Sequence, residues 1–394
     1  MADSIDAIFT KAKKGKALFQ NRNALSTEFV PENLPFRDGQ MANVAQVLAP
    51  ALLGSKPSNL LLYGKTGTGK TAVATKVADK LQKQDDTKQV VTAYVNCRLA
   101  GTEYLTLKKI AEAIPVDREI PDTGLSISEI INRIFAAISK NKVHLILTLD
   151  EIDYLANSND DTLYKFTRSG ENTAPGFLTI IGISNDLRFK EGLDARVLSS
   201  LGEEEIVFPP YTTEELRSIL GERTKMAFRP GVVPESTINL CAALAASEHG
   251  DARRAIDLLR VAGEVAEREG LQHVDEECIR KASDKIERDT VEVALHSLPL
   301  QTKIIIIAAS KFSGGTSTGE AYLAYTNLAK KSGVEVLTQR RVSGILAELD
   351  VLGLVEAAVV SKGRRGRTKR IKLLVDNETL ARVIGEDARL LDLV

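Results

Sequence analysis

The chain has 394 residues, more than one hydrophobic core ordinarily serves, so two or three domains of about 100 to 200 residues each are expected. Its 43% hydrophobic and 27% charged residues, with 12 Pro and 27 Gly, exclude a disordered or collagen-like chain. A net charge of −1 excludes a uniformly basic coat for nucleic acid, so what matters is where charge is concentrated. No stretch approaches 18 uncharged apolar residues, and the first twenty carry four Lys without a continuous apolar segment, so neither a membrane span nor a secretory signal is expected. Cys97, Cys241 and Cys278 lie far apart, which suits a reducing, cytoplasmic compartment. The four histidines are scattered as well, and no Cys or His pair has zinc-ligand spacing.

In chain order, four apolar runs rich in β-branched residues come first: Asn59 to Tyr63, Val90 to Cys97, Val143 to Leu149 and Phe177 to Ser184. They alternate with helical patterns and are almost wholly apolar, as strands of a parallel sheet covered on both faces should be. After Phe208-Pro209-Pro210 no further strand is expected in this part, and Thr212 opens a helix over 213–226, followed by helices over 235–247, 251–269 and 275–287. Helical patterns at 291–312, 318–331 and 338–350 lead to two β-like runs, Leu354 to Val360 and Arg370 to Val375, with a glycine-containing stretch between them. Three helices and a two-stranded wing make a winged helix-turn-helix. The expected division is 1–210, an N-terminal segment with an α/β domain, 211–288, an all-helical domain, and 289–394, the winged helix.

Gly64-Lys65-Thr66-Gly67-Thr68-Gly69-Lys70-Thr71 fits G-x-x-x-x-G-K-T, directly after one predicted strand and before a predicted helix. Its glycines let backbone N–H groups face the phosphates of ATP or ADP, Lys70 reaches the β- and γ-phosphates, and the Thr71 hydroxyl serves Mg²⁺. The third strand ends in Asp150-Glu151-Ile152-Asp153. Asp150 would complete the Mg²⁺ shell, and Glu151 would polarise the attacking water. The fourth strand ends at Ser184-Asn185, with Asn185 able to orient that water.

The order of these motifs resembles an AAA+ ATPase, and over nearly the whole chain it is similar to the archaeal origin-recognition initiator family. The resemblance rests on the P-loop, on Asp150 to Asp153, on Ser184-Asn185, on Leu193-Asp194-Ala195-Arg196-Val197 and on Gly250-Asp251-Ala252-Arg253. It implies an AAA+ P-loop domain with a parallel sheet, an all-helical lid and a C-terminal winged helix. It further implies that Arg196 is an arginine finger donated to a neighbouring protomer's ATP, with Ala195 in place of the family's proline. Arg253, on the lid, would touch the γ-phosphate in cis. Val30 to Asp38 resembles the segment folded over the adenine, so Arg37 is expected at the base, although Phe36 and Asp38 depart from the family pattern.

Between Lys303 and Lys372 stand 13 Lys or Arg against five Asp or Glu, a net of +8 in a chain of net −1. In the wing, Lys362, Arg364, Arg365, Arg367 and Lys369 can follow phosphates or enter a minor groove. In the helix from Thr338 on, Val342, Ile345, Leu346 and Leu349 make a packing face, while Gln339 and Arg340 can contact base edges and Thr338 and Ser343 phosphates. Thr338-Gln339-Arg340-Arg341-Val342 also matches the family residue by residue. A further helical DNA contact is implied within Arg98 to Thr123. The resemblance thus implies a replication initiator of the cytoplasm and nucleoid that binds double-stranded origin DNA under ATP control and helps recruit the replicative helicase, with other protomers as possible partners and no membrane. The competing readings are a Holliday-junction branch-migration motor, which would form hexamers, and an ATP-dependent transcription regulator bound at promoters.

Overall fold

The computed structural model describes residues 17–27, 29–158, 160–186, 188–312, 314–361, 367–385, 387 and 390. The chain forms two compact units that divide between Ile279 and Arg280. The first holds a five-stranded sheet of β1 (Leu60–Tyr63), β2 (Val90–Asn96), β3 (His144–Asp150), β4 (Phe177–Ser184) and β5 (Glu204–Val207), in the order β2-β3-β4-β1-β5. All neighbours pair in parallel. Along β1 and β3 the side chains alternate between two cores: Leu61, Leu145, Leu147 and Leu149 enter one, and Leu60, Leu62 and Ile146 the other. Both faces are therefore covered, which is why these strands read as unbroken apolar runs.

The sheet is flanked by α1 (Asp38–Leu48), α2 (Lys70–Gln84), α3 (Cys97–Ala100), α4 (Glu103–Glu112), α5 (Ile127–Asn141), α6 (Ile152–Ser158), α7 (Asp160–Thr167), α8 (Gly170–Thr173) and α9 (Ala195–Leu201). Helices α10 (Thr213–Ala227), α11 (Glu235–Ser247) and α12 (Ala252–Glu269) follow. The expected start of α10 is a full capping box: the Thr212 hydroxyl accepts from the Glu215 N–H, and the Glu215 carboxylate accepts from the Thr212 N–H. β5 escaped the sequence reading because it is a four-residue edge strand, Glu-Glu-Ile-Val, with only Ile206 buried.

Helix α13 (Glu276–Ser297) runs on to Ser297, and α14 is Leu300–Ser310. The expected helices over 275–287 and 291–312 therefore break elsewhere, at Leu298-Pro299. Pro299 has no N–H to donate and disfavours a helical residue before it, so it ends one helix and caps the next. The second unit continues with β6 (Thr316–Ser317), α15 (Thr318–Lys331), α16 (Gln339–Val351), β7 (Val355–Ser361), β8 (Arg367–Leu373) and α17 (Asn377–Gly385). The expected hairpin is the antiparallel pair β7 and β8, and β6 adds a third, two-residue strand on the far side of β8. Tyr325, Ile306, Leu346 and Val355 are fully buried in this unit's core. Among the described residues no helix is long and apolar enough to cross a membrane.

A candidate nucleotide site and a candidate DNA-binding helix

Strand register gathers the predicted site at one edge of the sheet. Tyr63, the residue before the P-loop, pairs with Ser184, and Ile183 pairs with Asp150. Gly64, Asp150 and Asn185 consequently emerge side by side at the carboxyl ends of β1, β3 and β4, where open α/β sheets bind ligands. A cavity of ≈ 500 Å³ is lined by Gly67, Gly69 and Thr71 of the glycine-rich loop together with Phe29, Val30 and Pro31.

The loop's curl demands glycine at its apex. Gly67 has φ +67°, and a Cβ there would come within 1.6 Å of the Asp251 carboxylate. Asp251 caps α12 by accepting from the Arg253 and Arg254 N–H groups. The Ala252 N–H also donates to the Gly67 carbonyl at 3.2 Å. The first turn of α12 thus rests directly on the phosphate loop. Arg253 is exposed and lines the cavity.

Lys70 is buried, and its ammonium donates to the carbonyls of Gly64 (2.8 Å) and Lys65 (2.7 Å). Burial pushes its pKa down to about 8, against the opposing pull of Asp150. The Thr71 hydroxyl donates to Asp150 Oδ2 at 2.7 Å, and the Glu151 N–H donates to Oδ1 at 2.9 Å. Mg²⁺ takes oxygen ligands at 2.0–2.1 Å in an octahedron, which sets adjacent corners roughly 2.9 Å apart. A hydroxyl and a carboxylate oxygen already at that separation fit two neighbouring positions of its shell. Glu151 has φ +49°, a left-handed conformation uncommon for a side chain of its kind, and its carboxylate lies 3.9 Å from the Arg98 guanidinium. Ser184 Oγ donates to Asp153 at 2.9 Å, and Asn185 is exposed just beyond.

Tyr94 was not anticipated. Its phenol donates to Asp150 Oδ2 at 2.9 Å, beside the Thr71 hydroxyl, and its ring lines the cavity. In sequence it is one more aromatic in a strand. Only its register against β3, two residues before Asn96 meets Asp150, marks it.

Arg37 does not line the cavity as expected for a base contact. Its guanidinium is 2% exposed and donates to the carbonyls of Thr68 (2.8 Å), Pro209 (2.7 Å) and Phe36 (3.0 Å), 3.8 Å from the centre of the Tyr211 ring. With Nε and both terminal nitrogens engaged, it ties the loop to the Pro209-Pro210 connection. Arg196 also lies away from the cavity wall. At the start of α9 its guanidinium makes two bonds to its own Asp194 (3.0 and 2.8 Å) and sits 4.8 Å from the centre of the Tyr164 ring. That pairing holds the Asp194 carboxyl down at about 2. Ala195 occupies the first helical position, where Pro would also be accommodated.

In the second unit, α16 divides as expected. Val342, Ile345, Leu346 and Leu349 are buried, while Gln339, Arg340 and Arg341 are exposed at its N-terminal end. Thr338 is the N-cap and accepts from the Arg341 N–H, and Ser343 donates to the Gln339 carbonyl at 2.9 Å. Arg341 reaches Glu348 at 3.4 Å. Lys369 is exposed on β8 and Arg367 opens that strand, whereas Lys362, Arg364 and Arg365 lie outside the described residues. The helical stretch within Arg98 to Thr123 is packed from below by Leu107, Ile110 and Ala111. There Thr106 is buried, and Tyr104 donates to the Pro121 carbonyl at 2.9 Å.

Models of three domain families match the chain in order: the AAA domain over residues 54–190, the Cdc6 AAA+ ATPase-type lid domain over 217–284, and the CDC6 C-terminal winged helix domain over 293–383. The fold and site therefore define an AAA+ ATPase with a parallel sheet, a helical lid and a winged helix. An ORC1-type DNA replication protein of Cenarchaeum symbiosum is 44% identical over 399 residues, covering 100% of this chain and 97% of that protein. One from Thermococcus kodakarensis is 46% identical over 382 residues, covering 95% and 92%. The solved structure of the Aeropyrum pernix ORC1 protein in complex with DNA superimposes with a TM-score of 0.86 at 44% identity, over 96% of this chain and 100% of that one. The chain belongs to the ORC1-type DNA replication protein family and is a replication initiator of archaeal kind. The motor and transcription-regulator readings are not favoured, since the matching lid and winged-helix models are those of Cdc6.

Proposed function

We propose that the protein binds duplex DNA at replication origins under the control of bound ATP and helps recruit the replicative helicase. The observation that carries this reading is the lid helix α12 seated on the phosphate loop, through Asp251 against Gly67 and Ala252 N–H to the Gly67 carbonyl, in a chain whose other unit presents Gln339, Arg340 and Arg341 at a recognition-helix N-terminus. The first arrangement suits a switch more than a fast motor, because the loop whose N–H groups would hold the phosphates also carries the lid's first turn. Thr71 and Asp150 would hold Mg²⁺, which when bound neutralises phosphate charge. Lys70 and the loop N–H groups grip the phosphates, Glu151 takes the proton of the attacking water, Asn185 orients that water, and Arg253 contacts the γ-phosphate.

Arg196 would act on a neighbouring protomer's nucleotide. Thr338, Ser343 and the basic wing, Lys362, Arg364, Arg365, Arg367 and Lys369, would grip phosphates, while Gln339 and Arg340 read bases. The working domain boundaries are 1–210, 211–288 and 289–394, and the location is the cytoplasm, on the nucleoid. Genome-wide mapping of the DNA bound by the protein tests the reading. Peaks at replication start sites support it. Peaks at promoters, or scattered recombination structures, would replace it with a regulator or a junction motor.

A further inference from the structure

Phe29, in the lining of the cavity, is tied to a buried cation of the lid. Arg223 stands on α10, on the same face as the buried Leu216, Ile219, Leu220 and Ala227, and is only 7% exposed. Its Nη1 donates to the Ala24 carbonyl at 2.9 Å and its Nη2 to the Phe29 carbonyl at 3.1 Å, with the guanidinium 4.9 Å from the centre of the Phe29 ring. Phe29, Val30 and Pro31 line the cavity, and Arg223 lines that cavity itself.

A guanidinium in such a place is costly to bury, and an apolar side chain would pack there at less expense. What Arg uniquely brings is a planar fork of donors in fixed geometry, able to hold two acceptors at a set separation. The rest of the segment is anchored separately. Phe19 stacks on Phe228 with centroids 4.4 Å apart, in space kept open by Gly263, where a Cβ would come within 2.5 Å of Phe19. The Leu18 N–H donates to Glu267 at 2.9 Å, and Lys76 of α2 donates to the Pro31 carbonyl at 3.2 Å. Arg223 is thus not needed to attach the segment. It fixes Ala24 and Phe29, which lie between those anchors.

With phosphates seated on Gly67 to Thr71, the remainder of the same cavity, Phe29, Val30 and Pro31 among its lining, is left to receive a nucleotide's base. We propose that Arg223 is a positioning residue for the base: it presets the base wall from the lid, so base affinity depends on it while the phosphate grip does not. A wall already in its bound shape spares the ligand the ordering cost of binding. This inference rests on the reading of the cavity as a nucleotide site.

The test uses the full-length protein and two ligands with Mg²⁺, ATP and inorganic tripolyphosphate, each competed against a fluorescent ATP analogue. Arg223→Met should weaken ATP at least about tenfold, equivalent to about 1.4 kcal/mol, and leave tripolyphosphate within twofold of wild type. Arg223→Lys, which keeps the charge but not the fork, should remain at least about fivefold weak for ATP. Without ligand, amide hydrogen exchange should quicken at Ala24 to Pro31 in both variants and stay unchanged at Gly64 to Thr71. Equal weakening of both ligands, full rescue by Lys, or unaltered exchange at the wall would each overturn the assignment. If Arg223→Met does not fold, Arg223→Lys and its exchange pattern decide alone. Lys70→Ala serves as the separate control: if it binds both ligands like wild type, the nucleotide reading fails whatever Arg223 does.

Discussion

Removing one hydroxyl, in Tyr94→Phe, isolates how Asp150 is held. Asp150 Oδ2 accepts from two hydroxyls, Thr71 at 2.7 Å and Tyr94 at 2.9 Å. Burial and the neighbouring Asp150 charge push the phenol up to about 12, so it stays a donor throughout any ordinary assay. Groups that orient a metal-binding carboxylate typically contribute 10- to 100-fold in metal affinity. Tyr94 is 48% exposed, so water can replace much of its bond, and the expected loss falls below that range, at about fivefold or about 1 kcal/mol. Single-turnover hydrolysis at graded free Mg²⁺ measures it. The half-saturating Mg²⁺ concentration should rise roughly fivefold, while ATP affinity in EDTA stays at the wild-type value. A uniform drop in rate at every Mg²⁺ concentration, with no shift of the midpoint, would refute the idea that Tyr94 works through Asp150.

Glu151→Gln should keep ATP affinity and lose at least about tenfold in hydrolysis, and mixing it with Arg196→Ala protein should restore part of the turnover if the finger acts between protomers; equal activity of mixed and separate samples counts against that. Because the Lys70 ammonium is held down at about 8 and phosphate favours its charged form, ATP binding should take up a proton above that pH. Affinity should therefore fall by up to roughly tenfold from pH 7 to 9, well above the phosphate ionisation near pH 6, and a flat profile would contradict it. Arg340→Ala should cost about 1 to 3 kcal/mol at a specific site and little on random duplex, read by titration of both at one salt concentration; equal losses would make Arg340 a phosphate anchor.

The parts legible in sequence were those where one local pattern had one physical cause. Unbroken apolar runs meant strands covered twice, and the glycine-rich loop ending in Lys70-Thr71 stands where its pattern put it, between a strand and a helix. The missed parts depend on what lies opposite. β5 carries two glutamates and is a strand only because β1 offers it an edge. Tyr94 acquires a role from Asp150, 56 residues away. Arg37 resembled a base contact, but its three donors are taken by carbonyls that only the fold brings near. Arg223 did leave a trace, since a cation at the i+3 and i+4 spacing from Leu220 and Ile219 sits on the apolar face of its helix. Such a trace asks for a buried acceptor without saying which.

The contact between Gly67 and the first turn of α12 makes the apex of the glycine-rich loop and the footing of the lid one and the same place. On the proposed reading no chain of intermediaries is required to carry news of the nucleotide outward, because the Ala252 N–H and the Asp251 carboxylate already rest on the loop backbone. The tolerance of that joint is the width of a hydrogen atom on Gly67. A methyl group there would meet the Asp251 carboxylate and sit at a φ that side-chain-bearing residues rarely adopt, so Gly67→Ala would disturb the loop and the lid's first turn together.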